Sequence, residues 1–247
     1  MNLMTSRQLN GWMTMMLSVN LKYSLREGRA ISMARGNLTY WRGNSFYINP
    51  TSRCINDCLF CVRHFGEGVF GFNLVLDKDP TVEELVREIE ETWKSKFTDI
   101  AIVGFGEPLL NLDGTIAAIR KMRELSHTPI RMNTDGQALL LYPSRDVPHE
   151  LADAGLDRIQ ISLNAPDSDT YLRLCQPKFG RSAYDSILEF AERCKPLMRV
   201  EFSVVDIPGV DIDACRGIAK RMRIEFRVRV FKGPDGALEG ILRTLTA

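Results

Sequence analysis

No stretch of this 247-residue chain is apolar for the length of a membrane span, which argues against a helical integral membrane protein. Charge of one sign is missing too. Lys and Arg total 32, Asp and Glu 31, and the formal net charge is +1. Such a balance gives no global field to steer the chain to nucleic acid or an anionic membrane, so neither is expected as a partner. Cysteine is scarce and unevenly placed. Three of the six crowd into one run, and Cys175, Cys194 and Cys215 stand apart. That is not the framework of a disulfide-stapled secreted domain, and a reducing compartment, the cytoplasm, is implied. No internal repeat is visible.

What is present suits one globular domain. Hydrophobic residues make up 45% and charged residues 26% of the chain, ordinary values at a length that buries a sizeable core. The first 32 residues carry Met1, Met4, Met13, Met15 and Met16 with little periodicity. Trp12 to Val19 is too short and weak for a signal peptide, and Met33 would itself make a sensible start. Residues 1–37 are therefore read as a peripheral extension, and 38–247 as the core domain. The alternative is an amphipathic N-terminal helix closing the bottom of the fold.

From Phe46 onward short β runs alternate with helical runs, the signature of a parallel α/β fold. Strands are expected at Phe46–Asn49, Ile100–Val103, Ile130–Asn133, Arg158–Asn164, Val200–Val205 and Phe226–Phe231. Between them lie helical faces such as Val82, Leu85, Val86, Ile89 and Trp93, opened by the capping-box pattern Thr81-x-x-Glu84 behind Pro80. A weaker helix is expected near Pro148–Ala154, and another at Ser182–Lys195. An eight-fold barrel takes about 250 residues, more than remain after the extension. Six strands predict an incomplete (β/α)6 TIM-like barrel.

The strands also alternate in polarity. Ile159, Ile161 and Leu163 oppose Arg158, Gln160, Ser162 and Asn164; Phe226, Val228 and Val230 oppose Arg227 and Arg229. Ile130 and Met132 oppose Arg131 and Asn133, and Val200, Phe202 and Val204 oppose Glu201 and Ser203. Successive strand side chains point to opposite faces. Helices must cover the apolar face, so the polar set lines the barrel interior. Buried charge needs partners, so this lumen either pairs internally, through Glu201, or holds a polar ligand.

The chemistry centres on TSRCINDCLFC, where Cys54, Cys58 and Cys61 directly follow the first strand. The C-x3-C-x2-C spacing supplies three thiolates and no fourth, whereas a closed zinc site or a ferredoxin cluster takes four ligands. A cluster held at three corners leaves one iron open to a small molecule. The competing reading is a zinc knuckle with a borrowed ligand, for which His64 is near in sequence. Cys194 and Cys215 fall on apolar helix faces and read as core thiols. Cys175 reads as packed in core or loop, or as a thiol on the substrate side.

The cysteine loop resembles the cluster-binding motif of the radical S-adenosylmethionine (SAM) enzymes. YINPTSRCINDCLFCVRH, VGFGEPLLNLD, MNTDG, ISLNAPDSDTYLRLCQPKFG and VDIPGVDIDACR together resemble the small TatD-associated members, over roughly residues 38–235. The resemblance implies a 4Fe-4S cluster on Cys54, Cys58 and Cys61, with SAM on the open iron and the aromatic Phe60 beside it. Reductive cleavage of SAM would give a 5′-deoxyadenosyl radical that abstracts hydrogen from a substrate. It also implies that Gly104-Phe105-Gly106-Glu107 binds the methionyl amino group, with Phe105 replacing the first glycine of the family's Gly-Gly-Glu element. Asn133, Ser162 and Asn164 would contact SAM, and Asp206 to Gly209 would shape the adenine pocket. Arg229, Arg227 and Arg131 are candidates to anchor an anionic group of SAM or substrate. No general base stands out. The expected partners are a reductant such as ferredoxin or flavodoxin and a substrate that is a small molecule or a partner protein. The alternatives are an iron–sulfur electron carrier or sensor that never cleaves SAM, and an enzyme that activates a partner protein.

Overall fold

The computed structural model describes residues 36–246. The compact unit begins at Gly36, and the extension expected at 1–37 lies almost wholly outside the described residues.

Strand β1 (Thr39–Arg42) turns through Gly43, at φ +58°, into β2 (Ser45–Ile48) as an antiparallel hairpin. A separate small hairpin follows, β3 (Gly68–Val69) with β4 (Phe72–Asn73). The main sheet then continues from β2 through β5 (Asp99–Ile102), β6 (Ile130–Thr134), β7 (Arg158–Ser162), β8 (Arg199–Asp206) and β9 (Glu225–Val230), with every neighbour parallel. Helices alternate with these strands: α1 (Val82–Thr92), α2 (Leu112–Leu125), α3 (Ala138–Leu141), α4 (Val147–Ala154), α5 (Ser168–Cys175), α6 (Ser182–Cys194), α7 (Ile212–Met222) and α8 (Ala237–Thr246). Six parallel strands in chain order, each followed by helix, are the incomplete (β/α)6 TIM-like barrel that the patterning predicts. The antiparallel β1 and the β3–β4 hairpin are additions. Their segments of two to four residues carry too little alternation to read as strands.

The core lies where the strand pattern puts it. Phe46, Ile100, Ile102, Met132, Ile159 and Phe202 are fully buried on the helix-covered face. Each such side chain stabilises the fold by about 1.5–3 kcal/mol relative to exposure. Leu85 and Ile89 of α1 and Ile116, Ile119 and Met122 of α2 meet this face, while Val82 and Leu125 fray outward at helix ends. Thr81 and Glu84 form the expected capping box, with Glu84 N–H donating to Thr81 Oγ1 at 3.2 Å and Thr81 N–H to Glu84 Oε2 at 2.9 Å. Cys194 and Cys215 are buried in the core as expected, and burial pushes both thiols up to about 12.

Candidate active site

The cysteine loop leaves the C-terminal end of β2 and is tied down along its length. Asn49, fully buried, donates to the carbonyls of Asn37 and Leu74 at 3.0 Å each and accepts from Phe105 N–H at 3.0 Å. Thr51 Oγ1 donates to Asp79 Oδ1 at 2.6 Å, and Arg53 pairs with the same carboxylate. Further along, Asp57 and Leu59 donate their N–H groups to the carbonyls of Cys175 and Leu174 at 3.0 Å, which seats the loop on the end of α5. Asn56 Nδ2 donates to Tyr171 OH at 2.8 Å, and Gln137 Nε2 donates to Asn56 Oδ1 at 2.8 Å, all buried. Past the cysteines, Phe65 sets its edge on Phe231 with centroids 5.9 Å apart, so the loop reaches the far end of β9.

Cys54, Cys58 and Cys61 are all free thiols, and all are part-exposed. Burial raises the Cys54 thiol, helped by the Asp135 and Glu107 carboxylates. A hydrogen bond with the Cys175 thiol raises Cys58, and burial adds to it; burial also raises Cys61. Three thiols held this way shed their protons when a metal takes the proton's place. His64 turns its Nε2 to the Cys58 carbonyl at 3.0 Å and to Asp57 Oδ1 at 3.4 Å, which supports no zinc knuckle. Among the described residues no three His, Cys, Asp or Glu side chains are grouped to hold a metal ion. Phe60 packs in the main core, only 9% exposed.

The GFGEP turn follows β5 and lies against the approach to the cysteines. Gly106 N–H donates to the Thr51 carbonyl at 3.1 Å, and Glu107 N–H to the Arg53 carbonyl at 2.8 Å. A Cβ on Gly104 would stand 2.6 Å from Asn49 Oδ1, and one on Gly106 2.6 Å from the Arg53 carbonyl carbon. Both glycines are thus dictated by close backbone approach. The Glu107 carboxylate is buried and accepts from Thr134 Oγ1 (2.7 Å), Leu109 N–H (3.0 Å) and Asp135 N–H (2.6 Å). Burial raises its pKa against those three donors. Asp135, buried beside it, is raised well above the ordinary carboxylate range by burial and by the Glu107 charge. Because both Glu107 oxygens are engaged by the protein, its side chain locks the ends of β5 and β6 together.

After β7, Asn164 adopts a left-handed φ of +53° and is buried, its Nδ2 3.9 Å from Cys175 Sγ. Asparagine is among the few non-glycine residues that take this conformation readily, so it suits the sharp turn after β7. Seven buried side-chain polar atoms lack a hydrogen-bond partner among the described residues. Six of them, on Asn133, Asp135, Gln137, Asn164, Glu201 and Ser203, belong to β6, β8 or the loops directly after β6 and β7. Native interiors pair such atoms with protein, ordered water or ligand, so this end of the sheet has the polar capacity to receive a polar ligand.

Below that rim the polar strand faces enclose a cavity of about 450 Å³. Tyr47 and Val103 form one wall, and Asn133, Gln160, Arg227 and Arg229 others. The internal pairing expected of the lumen occurs, but with different partners. Arg131 pairs with Asp99, both bonds 3.0 Å, and Arg158 is the arginine that meets Glu201. Arg227 and Arg229 have no acidic partner among the described residues. Arg229 faces an open lumen, yet enough wall surrounds it that burial, with Arg227 nearby, lowers its guanidinium pKa.

The segment that carries the loop, the turn and the rim lies within a recognised family domain. The family model described as the Radical SAM superfamily matches residues 48–222, most of the chain. The chain belongs to the radical SAM superfamily. Radical SAM proteins bind a 4Fe-4S cluster and SAM, and three free thiols on one loop are the donor type such a cluster takes. A probable GTP 3′,8-cyclase of Saccharolobus solfataricus is 32% identical over 142 residues, 58% of this chain and 40% of that protein. A second probable GTP 3′,8-cyclase, from Halobacterium salinarum, is 30% identical over 148 residues, 59% of this chain and 37% of that protein. The matches thus span well under half of these curated relatives. Among solved structures, Streptococcus suis SuiB bound to S-adenosylmethionine superposes with a TM-score of 0.58 at 17% identity, covering 81% of this chain and 46% of SuiB. That likeness speaks for the fold.

Several residues that support the cysteine loop gave no signal in the sequence. Asn49, Asn56, Gln137 and Tyr171 are ordinary polar residues scattered along the chain, and only folding joins them into the support of the cysteine loop. Cys175 was legible as a cysteine but not as the neighbour of Cys58.

Proposed function

We propose that this radical SAM enzyme holds its cluster on Cys54, Cys58 and Cys61 and seats SAM on the rim beside them. In this reading Gly104 and Gly106 bring the GFGEP backbone up to the methionyl group, and Glu107 fixes that backbone from behind. Asn133, Ser162 and Asn164 offer hydrogen bonds to SAM, Phe60 supports the loop from the core, and Arg229 takes the carboxylate. The bound cofactors supply a 5′-deoxyadenosyl radical on one-electron reduction. The protein's own residues orient SAM, shield it from water and place a substrate hydrogen at the mouth of the lumen. The observation that carries the reading is a three-thiol loop anchored over a polar lumen, at the strand C-terminal ends where barrel active sites are built. An electron carrier has no use for such a lumen, so SAM cleavage is the stronger reading.

The reductant is a small electron carrier such as ferredoxin or flavodoxin, and the compartment is the cytoplasm. No described helix is long and apolar enough to cross a membrane. The test is anaerobic reconstitution with iron and sulfide, reduction with dithionite in the presence of SAM, and mass spectrometry of 5′-deoxyadenosine. Wild type is expected to form it and Cys58→Ala to form none. A fully loaded cluster that leaves SAM intact would overturn the enzyme reading in favour of a carrier or sensor.

A further inference from the structure

Four arginines line the lumen (Arg131, Arg158, Arg227 and Arg229) against one lining carboxylate, Asp99. Two of the four are spoken for. Arg131 gives Nε and Nη2 to Asp99, and Arg158 gives Nη2 to Glu201, with Glu225 3.5 Å away. Each keeps further guanidinium N–H groups, since arginine carries five donors in a fixed fork. Arg227 and Arg229 are held on one face of β9, two residues apart, with no acidic partner among the described residues. Holding two like charges together on one strand face, with no acid between them, costs free energy. A fold keeps such an arrangement when a ligand completes it. Arg229 lies toward the C-terminal end of β9, in register with Val205. Arg227 lies one inward step further from that end of β9, beside Ser203 in register.

We infer that the lumen binds a phosphorylated small-molecule substrate, its phosphate received by Arg227 with the spare donors of Arg158 and Arg131. This rests on the radical SAM reading, which already places SAM above it. Three features favour phosphate. The donors arrive from three strands, β6, β7 and β9, rather than as one planar fork. A tetrahedral anion accepts from several directions at once, whereas a lone carboxylate is met by a single bidentate pair. The cavity of about 450 Å³ lies within the usual range for small-ligand pockets. Gln160, which lines the same cavity, carries an amide oxygen that can accept from a hydroxyl or amine on the uncharged part of the molecule. That asks for a substrate with an anionic end and a donor-bearing body.

The test is calorimetric titration of the reconstituted, SAM-loaded protein with inorganic pyrophosphate, with citrate as the carboxylate arm. Wild type is expected to bind pyrophosphate at one site and at least 10-fold more tightly than citrate. Arg227→Gln is expected to weaken pyrophosphate at least 10-fold and Arg227→Lys to recover part of the loss, while Lys220→Gln on the exposed face of α7 leaves it unchanged. Circular dichroism and iron content are checked on each variant, so a folding failure is not read as lost binding. No pyrophosphate binding by wild type, equal loss with Lys220→Gln, or citrate bound as tightly as pyrophosphate would each overturn the inference. The titration requires no SAM cleavage. Pyrophosphate bound through Arg227 in a protein that leaves SAM intact would sink the enzyme reading alone, and active SAM cleavage without pyrophosphate binding would sink this one alone.

Discussion

Replacing Gly106 with alanine tests the link between the GFGEP turn and the cysteine loop. A Cβ there would stand 2.6 Å from the Arg53 carbonyl carbon and 2.7 Å from the Arg53 nitrogen. Carbon atoms rest about 3.5–4.0 Å apart, so the strand of chain entering Cys54 must retreat by about 1 Å. Overpacking of this kind costs about 1–3 kcal/mol. The retreat also strains the 2.8 Å bond from Glu107 N–H to the Arg53 carbonyl, for about 1 kcal/mol more. A total of about 2–4 kcal/mol lowers the Tm of a domain this size by about 4–16 °C. The assay pairs scanning calorimetry with iron and sulfide content after anaerobic reconstitution. Both readings are expected to fall, because the displaced backbone carries the first thiol. Gly217→Ala in α7 is the control: its Cβ would meet nothing closer than Arg221 Nη1 at 3.4 Å, and alanine in a helix is expected to stabilise by about 0.5–1 kcal/mol. A Gly106→Ala protein with wild-type Tm and full iron would refute the argument that close approach dictates this glycine.

Other perturbations probe separate parts of the site. Cys175→Ala should keep wild-type iron content, while Cys58→Ala falls to background; a folded Cys175→Ala protein that cannot hold iron would mean a four-thiolate site and no open iron. Asp135→Asn removes a carboxylate whose pKa burial and Glu107 raise. A raised carboxylate pKa makes the native state bind more protons than the unfolded chain, so wild-type stability falls as pH rises through the window above the ordinary carboxylate range. The variant should therefore melt higher than wild type at pH 8, and the gap should close as pH falls toward 5; a gap independent of pH would show that the Asp135 charge is not the cause. Asn56→Ala strips partners from Gln137 and Tyr171 in the buried support of the loop and should cost about 1–3 kcal/mol, read as a lower urea midpoint at unchanged slope; an unmoved midpoint would show that the network is not stabilising.

Much of the architecture was legible because strand geometry leaves little choice. Side chains alternate, helices must cover the apolar face, and so Arg158, Gln160, Arg227 and Arg229 could point only into the lumen, as they do. The β1 strand escaped notice because its four residues carry two buried and then two exposed positions, which is not the alternation of a strand. The glycines of GFGEP were legible as glycines that admit a close neighbour, but the neighbour, the Arg53 backbone, was not.

Local chemistry thus came from the sequence by itself: three thiols on one loop, six parallel strands and a polar interior, each fixed by spacing or periodicity within a short window. Partnership came from tertiary structure. That Arg131 meets Asp99 while Glu201 takes Arg158, that Cys175 lies against Cys58, and that Arg227 and Arg229 are left without an acid all depend on which strands are neighbours and in what register. Register relates residues far apart in the chain, and spacing along a single strand or loop carries no record of it.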